Sequence, residues 1–259
     1  MLLVVYPVFS QTLMRDGTID STAMHYWDRF DFVNQTTGTI QPNFTRYLRI
    51  LRQADPATAE KSISILLNKA ERSDSVAFRA IADLFELYLY NPNSPVRNEE
   101  LYIPVLKYLC VSQAVDFAGK TRAEFRLKRA LKNRVGEPAA DFEYILPKGE
   151  KGKLNDIKAD YLLIFFNNPD CPDCKRVKAI LSSANLSGIK ILALYPDKDL
   201  SAWEKTVYPD TWINAYNNTT INDLYDLKAI PTLYLLDKNK RVLLKDPDVE
   251  NILEYVRSL

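Results

Sequence analysis

The sequence predicts two domains, an all-α N-terminal half and an α/β C-terminal half built on a central mixed sheet flanked by helices. Three observations predict it. Apolar residues recur at helical spacing from about Ser21 to Arg134, and short, fully apolar runs alternate with helical ones from Gly136 onward. Glycine is scarce, at 7 of 259 residues, which fits a helix-rich chain with few left-handed turns. The length agrees, because 259 residues exceed one typical domain of roughly 150 and fall short of two full ones.

Composition narrows the function classes. At 47% hydrophobic and 26% charged residues the chain is globular, neither disordered nor fibrous. Lys plus Arg (34) nearly balances Asp plus Glu (33), so the net charge of +1 offers no field to hold nucleic acid or an anionic membrane. The single histidine, His25, excludes a His-cluster metal site and leaves one candidate for a His-based triad.

The first nine residues, Met1 to Phe9, are apolar and uncharged, far short of the about 20 needed to span a bilayer. Val8 and Ser10 stand at the −3 and −1 places of a cleavage site before Gln11. Residues 1–10 are therefore expected to be the end of a secretory signal whose charged part lies upstream. The mature chain, beginning near Gln11, is expected to have no transmembrane segment; the alternative for Met1–Phe9 is an ordinary apolar strand or helix. Export implies a periplasmic or otherwise exported location, membrane-associated or not, and an oxidising one.

Residues 19–134 read as the helical domain. Phe44, Tyr47, Leu48 and Leu51 follow i, i+3, i+4, i+7, and so do Ile63, Leu66, Leu67 and Ala70 after a start at Asp55-Pro56. A third helix runs from Val76 to Tyr90 and stops at Asn91-Pro92, and a fourth is expected from Glu99 to Phe117 despite Pro104. The basic run Lys120 to Arg134 reads as a solvated helix face with Phe125, Leu127 and Leu131 inward, the alternative being an electrostatic docking face. The aromatic group Tyr26, Trp27, Phe30 and Phe32 reads as core, and Cys110, in an apolar helix, as an inert buried thiol.

Residues 136–259 read as the α/β domain. Tyr161–Phe166, Lys190–Tyr195 and Thr232–Leu236 are strands buried on both faces, and Pro172–Ala184 is a helix between the first two, which makes a parallel βαβ unit. A hairpin through Asp237–Lys240 leads to a strand at Arg241–Leu244, and a last helix covers Val249–Ser258. Trp203 and Trp212, in the insertion-like stretch 197–222, read as packing residues, with a substrate groove as the alternative.

The chemistry is concentrated at Cys171-Pro172-Asp173-Cys174, a C-x-x-C opening a helix directly after a strand. Unpaired N–H groups and the helix dipole stabilise a thiolate at Cys171, which marks it as the attacking nucleophile. Cys174, one turn deeper on the same face, is placed to resolve a mixed disulfide. Asp170 and Asp173 oppose the dipole, and Lys175 and Arg176 reinforce it, so the net sign of the shift stays open. A zinc site would need four ligands, and only Cys110 and His25 remain as partners of thiol or imidazole type.

With Gly136-Glu-Pro-Ala-Ala-Asp-Phe142, Leu154-Asn-Asp-Ile157, Cys171-Pro-Asp-Cys174-Lys175 and Ala229-Ile-Pro-Thr232, residues 136–259 resemble a thioredoxin-like domain of the bacterial TlpA/ResA type. The resemblance implies a thioredoxin-like fold, with Pro231 as a cis proline that faces the cysteines and shapes a groove for an extended substrate chain. Two positions depart from the family pattern. Asp170 stands where Trp usually precedes the first cysteine, and Phe165 replaces a buried acid six residues before it. The Tyr26–Phe32 stretch resembles the start of an uncharacterised helical domain found ahead of such modules in exported bacterial proteins.

The expected function is an exported thiol–disulfide oxidoreductase acting on protein disulfides through Cys171, Cys174 and Pro231. It needs no cofactor beyond the Cys171–Cys174 pair, and a partner reductase or oxidant recycles it. The alternative is a non-catalytic partner-binding protein whose helical domain is the working surface. A thiol peroxidase is disfavoured, because Asn168 stands where that family's threonine would precede the cysteine.

Overall fold

In a computed structural model, which describes residues 17–217, 219–227 and 229–259, the chain divides between Leu127 and Lys128 into two compact units. The signal remnant expected over residues 1–10 lies outside the described residues. The first unit is helical: α1 (Gly17–His25), α2 (Thr37–Leu51), α3 (Pro56–Ser73), α4 (Ser75–Phe85), α5 (Glu99–Val111) and most of α6 (Phe117–Ala130), whose last turn falls in the second. Local chemistry sets the boundaries. The Asp55 carboxylate accepts the Thr58 N–H at 2.9 Å with Pro56 in the first turn, and Asp74 ends α3 while capping α4 through the Val76 and Ala77 N–H groups. A π-helical turn, Glu86–Tyr90, carries the chain from α4 to Asn91.

The apolar stripes read from the sequence are buried: Phe44, Tyr47, Leu48 and Leu51 on α2, and Ile63, Leu66, Leu67 and Ala70 on α3. The Tyr47 hydroxyl lies 2.7 Å from Ser62 Oγ, which donates to the Ala23 carbonyl at 2.6 Å, so one buried polar chain ties α1, α2 and α3 together. Trp27 packs with ring centroids 5.2 Å from Tyr26, 5.0 Å from Phe30 and 5.6 Å from Phe32, the core role expected of this group.

Two helical expectations are corrected. The fourth helix ends at Val111 rather than Phe117, because Ser112 turns to extended backbone and its hydroxyl donates to Glu71 Oε1; a new helix, α6, starts at Phe117. On α6 the inward residues are Ala123 and Ala130, whereas Phe125 is 59% and Leu131 46% exposed. Arg126 also turns inward, where it grips Glu86 with two hydrogen bonds of 2.7 and 2.8 Å and stacks over the Tyr90 ring. Small residues and one paired guanidinium thus set the contact face.

The second unit is a seven-stranded mixed sheet with helices against it. Its elements are β1 (Glu143–Ile145), β2 (Lys151–Lys153), β3 (Tyr161–Phe166), α7 (Pro172–Ser183), β4 (Ile189–Tyr195), α8 (Ser201–Glu204), β5 (Ile213–Tyr216), α9 (Ile221–Leu224), β6 (Thr232–Asp237), β7 (Val242–Lys245) and α10 (Val249–Arg257). The strand order is β2-β1-β5-β4-β3-β6-β7, with β3 parallel to β4 and antiparallel to β6. This is the fold class the sequence predicts. β3 is buried on both faces: Leu162, Ile164 and Phe166 enter one core with Leu192, Leu194 and Tyr234, while Leu163 and Phe165 enter the other with Val177, Leu181 and Ile252. β1, β2 and β5 were not expected. They are short, and Lys151-Gly-Lys153 shows no apolar alternation; Gly152 fits because a Cβ there would lie 2.4 Å from the Tyr144 ring. No helix among the described residues is long and apolar enough to cross a membrane.

Replacing Ile63, fully buried at the centre of the helical core, with Ala removes methylenes that neighbouring side chains cannot refill. Ile63→Ala is expected to cost about 2–5 kcal/mol of stability by denaturant unfolding of the full chain. A loss under about 0.5 kcal/mol would show that this face of α3 is not core.

Candidate active site

The site grows out of the end of β3. Asn167 continues the buried strand, with its N–H on the Leu194 carbonyl at 3.0 Å, its Nδ2 on the Phe165 carbonyl at 3.0 Å and its Oδ1 accepting the Tyr208 hydroxyl at 2.6 Å. Asn168 then organises the loop. Its carbonyl accepts the Cys171 N–H at 3.0 Å, its Oδ1 accepts the Asp170 N–H at 2.9 Å, and its Nδ2 donates to Asp197 Oδ2 at 2.8 Å. Its own N–H donates to Cys174 Sγ at 3.4 Å.

That loop delivers Cys171 to the N-cap of α7, where its Sγ accepts the Cys174 N–H at 3.4 Å and Pro172 occupies the first helical position. Cys171 is half-buried, while Cys174 is 2% exposed within the core of Leu163, Phe165, Val177 and Leu181. Opposite the pair, the Ile230–Pro231 peptide bond is cis, and the Ile230 carbonyl accepts from Cys171 Sγ at 3.5 Å. The structure thus brings Cys171, Cys174 and the Ile230–Pro231 segment together, with both thiols free.

The two sulfurs differ in environment. Burial pushes the Cys174 thiol up to about 12, with smaller upward contributions from Cys171 and Asp173; the Asn168 N–H opposes them. Phe165 lies fully buried in the core that surrounds Cys174, so a hydrocarbon occupies the place where the family pattern has an acid. Beyond it stand Tyr208, raised chiefly by burial and further by the charge of Cys174, and Lys178, lowered by burial. The Lys178 ammonium sits 4.4 Å from the centre of the Tyr208 ring and donates to the Val207 carbonyl. Asp170 and Asp173 are exposed at the mouth. The arrangement can form a thiolate at an accessible helix N-terminus while a second, occluded thiol waits in reach of it.

The other sequence candidates lie elsewhere. Cys110 is half-buried in the helical unit with its thiol raised by burial, and His25 is exposed beside Asp28. Among the described residues no three His, Cys, Asp or Glu side chains cluster as a metal site requires. Trp203 is a packing residue, 4% exposed with its Nε1 donating to Asn214 Oδ1. Trp212 stands edge-on to Phe165 at 6.3 Å. Sequence reasoning missed Asn167, Lys178, Asp197 and Tyr208 and saw Asn168 only as the absence of a threonine. Two adjacent amides at the end of a buried strand are the signal that could have found the first of them.

Comparison with known proteins gives the following. Residues 21–133 match a family model described as a domain of unknown function, DUF5106. The crystal structure of a thioredoxin-like protein from Bacteroides caccae is 37% identical, with a TM-score of 0.87, over 100% of this chain and 99% of that one. The C-terminal domain of an uncharacterized protein from Bacteroides fragilis is 39% identical over 48% of this chain and 98% of that one, with a TM-score of 0.46. The thioredoxin domain of a thiol-disulfide oxidoreductase from Bacteroides vulgatus is 20% identical over 48% of this chain and 96% of that one, with a TM-score of 0.42. No curated protein matches.

Because burial raises the Cys174 thiol, its reactive thiolate is scarce near neutrality and grows about tenfold per pH unit. In Cys171→Ser, iodoacetamide labelling of the Cys174 peptide, followed by mass spectrometry, is expected to climb in that way from pH 7 to pH 10 without a plateau. A plateau below about pH 9 would show that burial does not control this thiol.

Proposed function

The chain belongs to the thioredoxin-like proteins, and from that premise we propose that it is a thiol–disulfide oxidoreductase acting on disulfides of protein substrates. The observation that carries the reading is the pairing of an accessible Cys171 Sγ at a helix N-cap, accepting the Cys174 N–H, with an occluded Cys174 one turn below it. The Cys171 thiolate attacks one sulfur of a substrate disulfide; the S–S bond breaks, the other substrate sulfur leaves as a thiolate and takes a proton, and a mixed disulfide forms. Cys174 then loses its proton and attacks the Cys171 sulfur. The Cys171–Cys174 bond forms, the second substrate sulfur leaves, and two electrons have passed from the protein to the substrate.

Helix placement favours the thiolate that starts the sequence, and it falls to the Ile230–Pro231 segment to set the substrate backbone beside Cys171. No cofactor takes part beyond the cysteine pair. A partner reductase restores the dithiol, or an oxidant partner runs the same steps in reverse. The exported location drawn from the sequence of residues 1–10 belongs to the same proposal, since an oxidising compartment makes recycling of the pair necessary.

Turnover of a model protein disulfide with dithiothreitol as the reductant tests the reading. The full chain is expected to accelerate it, Cys171→Ser to fall to the uncatalysed rate, and Cys174→Ser to accumulate a mixed disulfide visible by mass under non-reducing conditions. Full activity in Cys171→Ser would defeat the enzyme reading and favour a partner-binding role for the helical unit.

A further inference from the structure

The resolving step poses a problem that the geometry answers. Cys174 must become a thiolate in a pocket where Phe165, a hydrocarbon, stands in the place of an acid and Leu163, Val177 and Leu181 pack around the sulfur. The titratable groups facing it are Cys171 and Asp173 from α7, whose charges oppose a second negative charge, and Tyr208 from the segment after α8. Lys178, one turn along α7, is committed to the Val207 carbonyl and the Tyr208 ring. Among the described residues, the hydrogen bond given to Cys174 Sγ comes from the Asn168 N–H, at 3.4 Å.

That N–H is held in place from several directions. The Asn168 side chain bridges the Asp170 N–H and the Asp197 carboxylate, its carbonyl takes the Cys171 N–H, and the preceding Asn167 is fixed to β4 and Tyr208. Asp197, two residues beyond the end of β4, therefore ties the loop to the sheet. Resting on the oxidoreductase reading, we propose that Asn168, clamped by Asp197, is the positioning residue of the resolving step, aiming its backbone N–H at Cys174 Sγ so that a thiolate can form there. A hydrogen bond to the charged form favours that form, and its value depends on aim, because a donor free to swing loses most of its effect. The clamp is an amide–carboxylate pair, so it can be broken and rebuilt without touching either cysteine.

A single-turnover reaction of the full chain with one equivalent of dithiobis(nitrobenzoate), carrying Cys110→Ala so that the colour reports only the pair, separates the steps. The first release of thionitrobenzoate follows attack by Cys171, and the second follows resolution by Cys174. Asn168→Ala and Asp197→Ala are expected to slow the second phase about tenfold at neutral pH, to change the first by less than about threefold, and to displace the pH profile of the second upward by about one unit. The exchange Asn168→Asp with Asp197→Asn, in which carboxylate and amide trade places, is expected to bring the second phase back to within about threefold of the parent. An unchanged second phase in both single variants, or equal slowing of both phases with no recovery in the exchange, would overturn this role and leave the oxidoreductase reading standing. A parent chain that releases no second equivalent would overturn both.

Discussion

Burial of β3 on both faces is the constraint from which the site follows. Tyr161–Phe166 has β4 on one side and β6 on the other and puts alternate side chains into two cores, so its end is fixed in every direction. A strand held this way delivers the next residues, Asn167 and Asn168, with little freedom, and they in turn set the start of α7. The same sheet supplies the far wall, since β6 begins at Thr232 directly after the cis Ile230–Pro231 bond. The sulfur-bearing helix and the segment opposite it are thus positioned by neighbouring strands of one layer.

Within that frame, burial divides the labour between two chemically identical side chains. Cys171 lies at the helix N-cap with its sulfur partly open, whereas Cys174, three residues on, points down the same face into Leu163, Phe165 and Val177. One turn of helix is enough to separate an accessible thiol from one pushed up to about 12. The difference comes from desolvation, which penalises charge wherever no compensating donor is aimed at it. The exposed Asp173 adds a smaller upward push on Cys174, and the hydrocarbon around that sulfur does little to screen it.

Much of this was legible in the sequence, for a physical reason. Six consecutive apolar residues at Tyr161–Phe166 can be nothing but strongly buried, a proline after the first cysteine marks a helix start, and the stripes on α2 and α3 repeat with helical period. The spacing Cys171–Cys174 places both sulfurs on one face whatever the surroundings. What stayed hidden depends on contacts distant in sequence. β5 is an Ile-Asn-Ala-Tyr segment that becomes a strand only because β4 and β1 flank it, and β2 is Lys-Gly-Lys, with no pattern at all. Asp197 lies 29 residues from Asn168, and Tyr208 lies 41 from Asn167. The α6 face was misread because Phe125 and Leu131, though apolar, are largely exposed, while Ala123, Ala130 and a paired Arg126 are buried or half-buried.

Replacing a buried acid by Phe165 has a consequence for the direction of the chemistry. On the oxidoreductase reading, a carboxylate near Cys174 could take its proton during resolution; a phenyl ring cannot, which leaves the Asn168 N–H as the donor aimed at that sulfur. On the proposed reading, a Cys174 thiol raised by burial would prolong a mixed disulfide on Cys171 relative to a carboxylate-assisted site. In the reverse direction on the same reading, an incoming thiolate attacking Cys171 of an internal disulfide would expel Cys174, whose raised thiol makes it the slower leaving group. On that reading, both directions of exchange would be gated at one atom. Under the proposed positioning role, the Asn168 N–H held by Asp197 is where substitution could change the speed of the pair without altering the two cysteines.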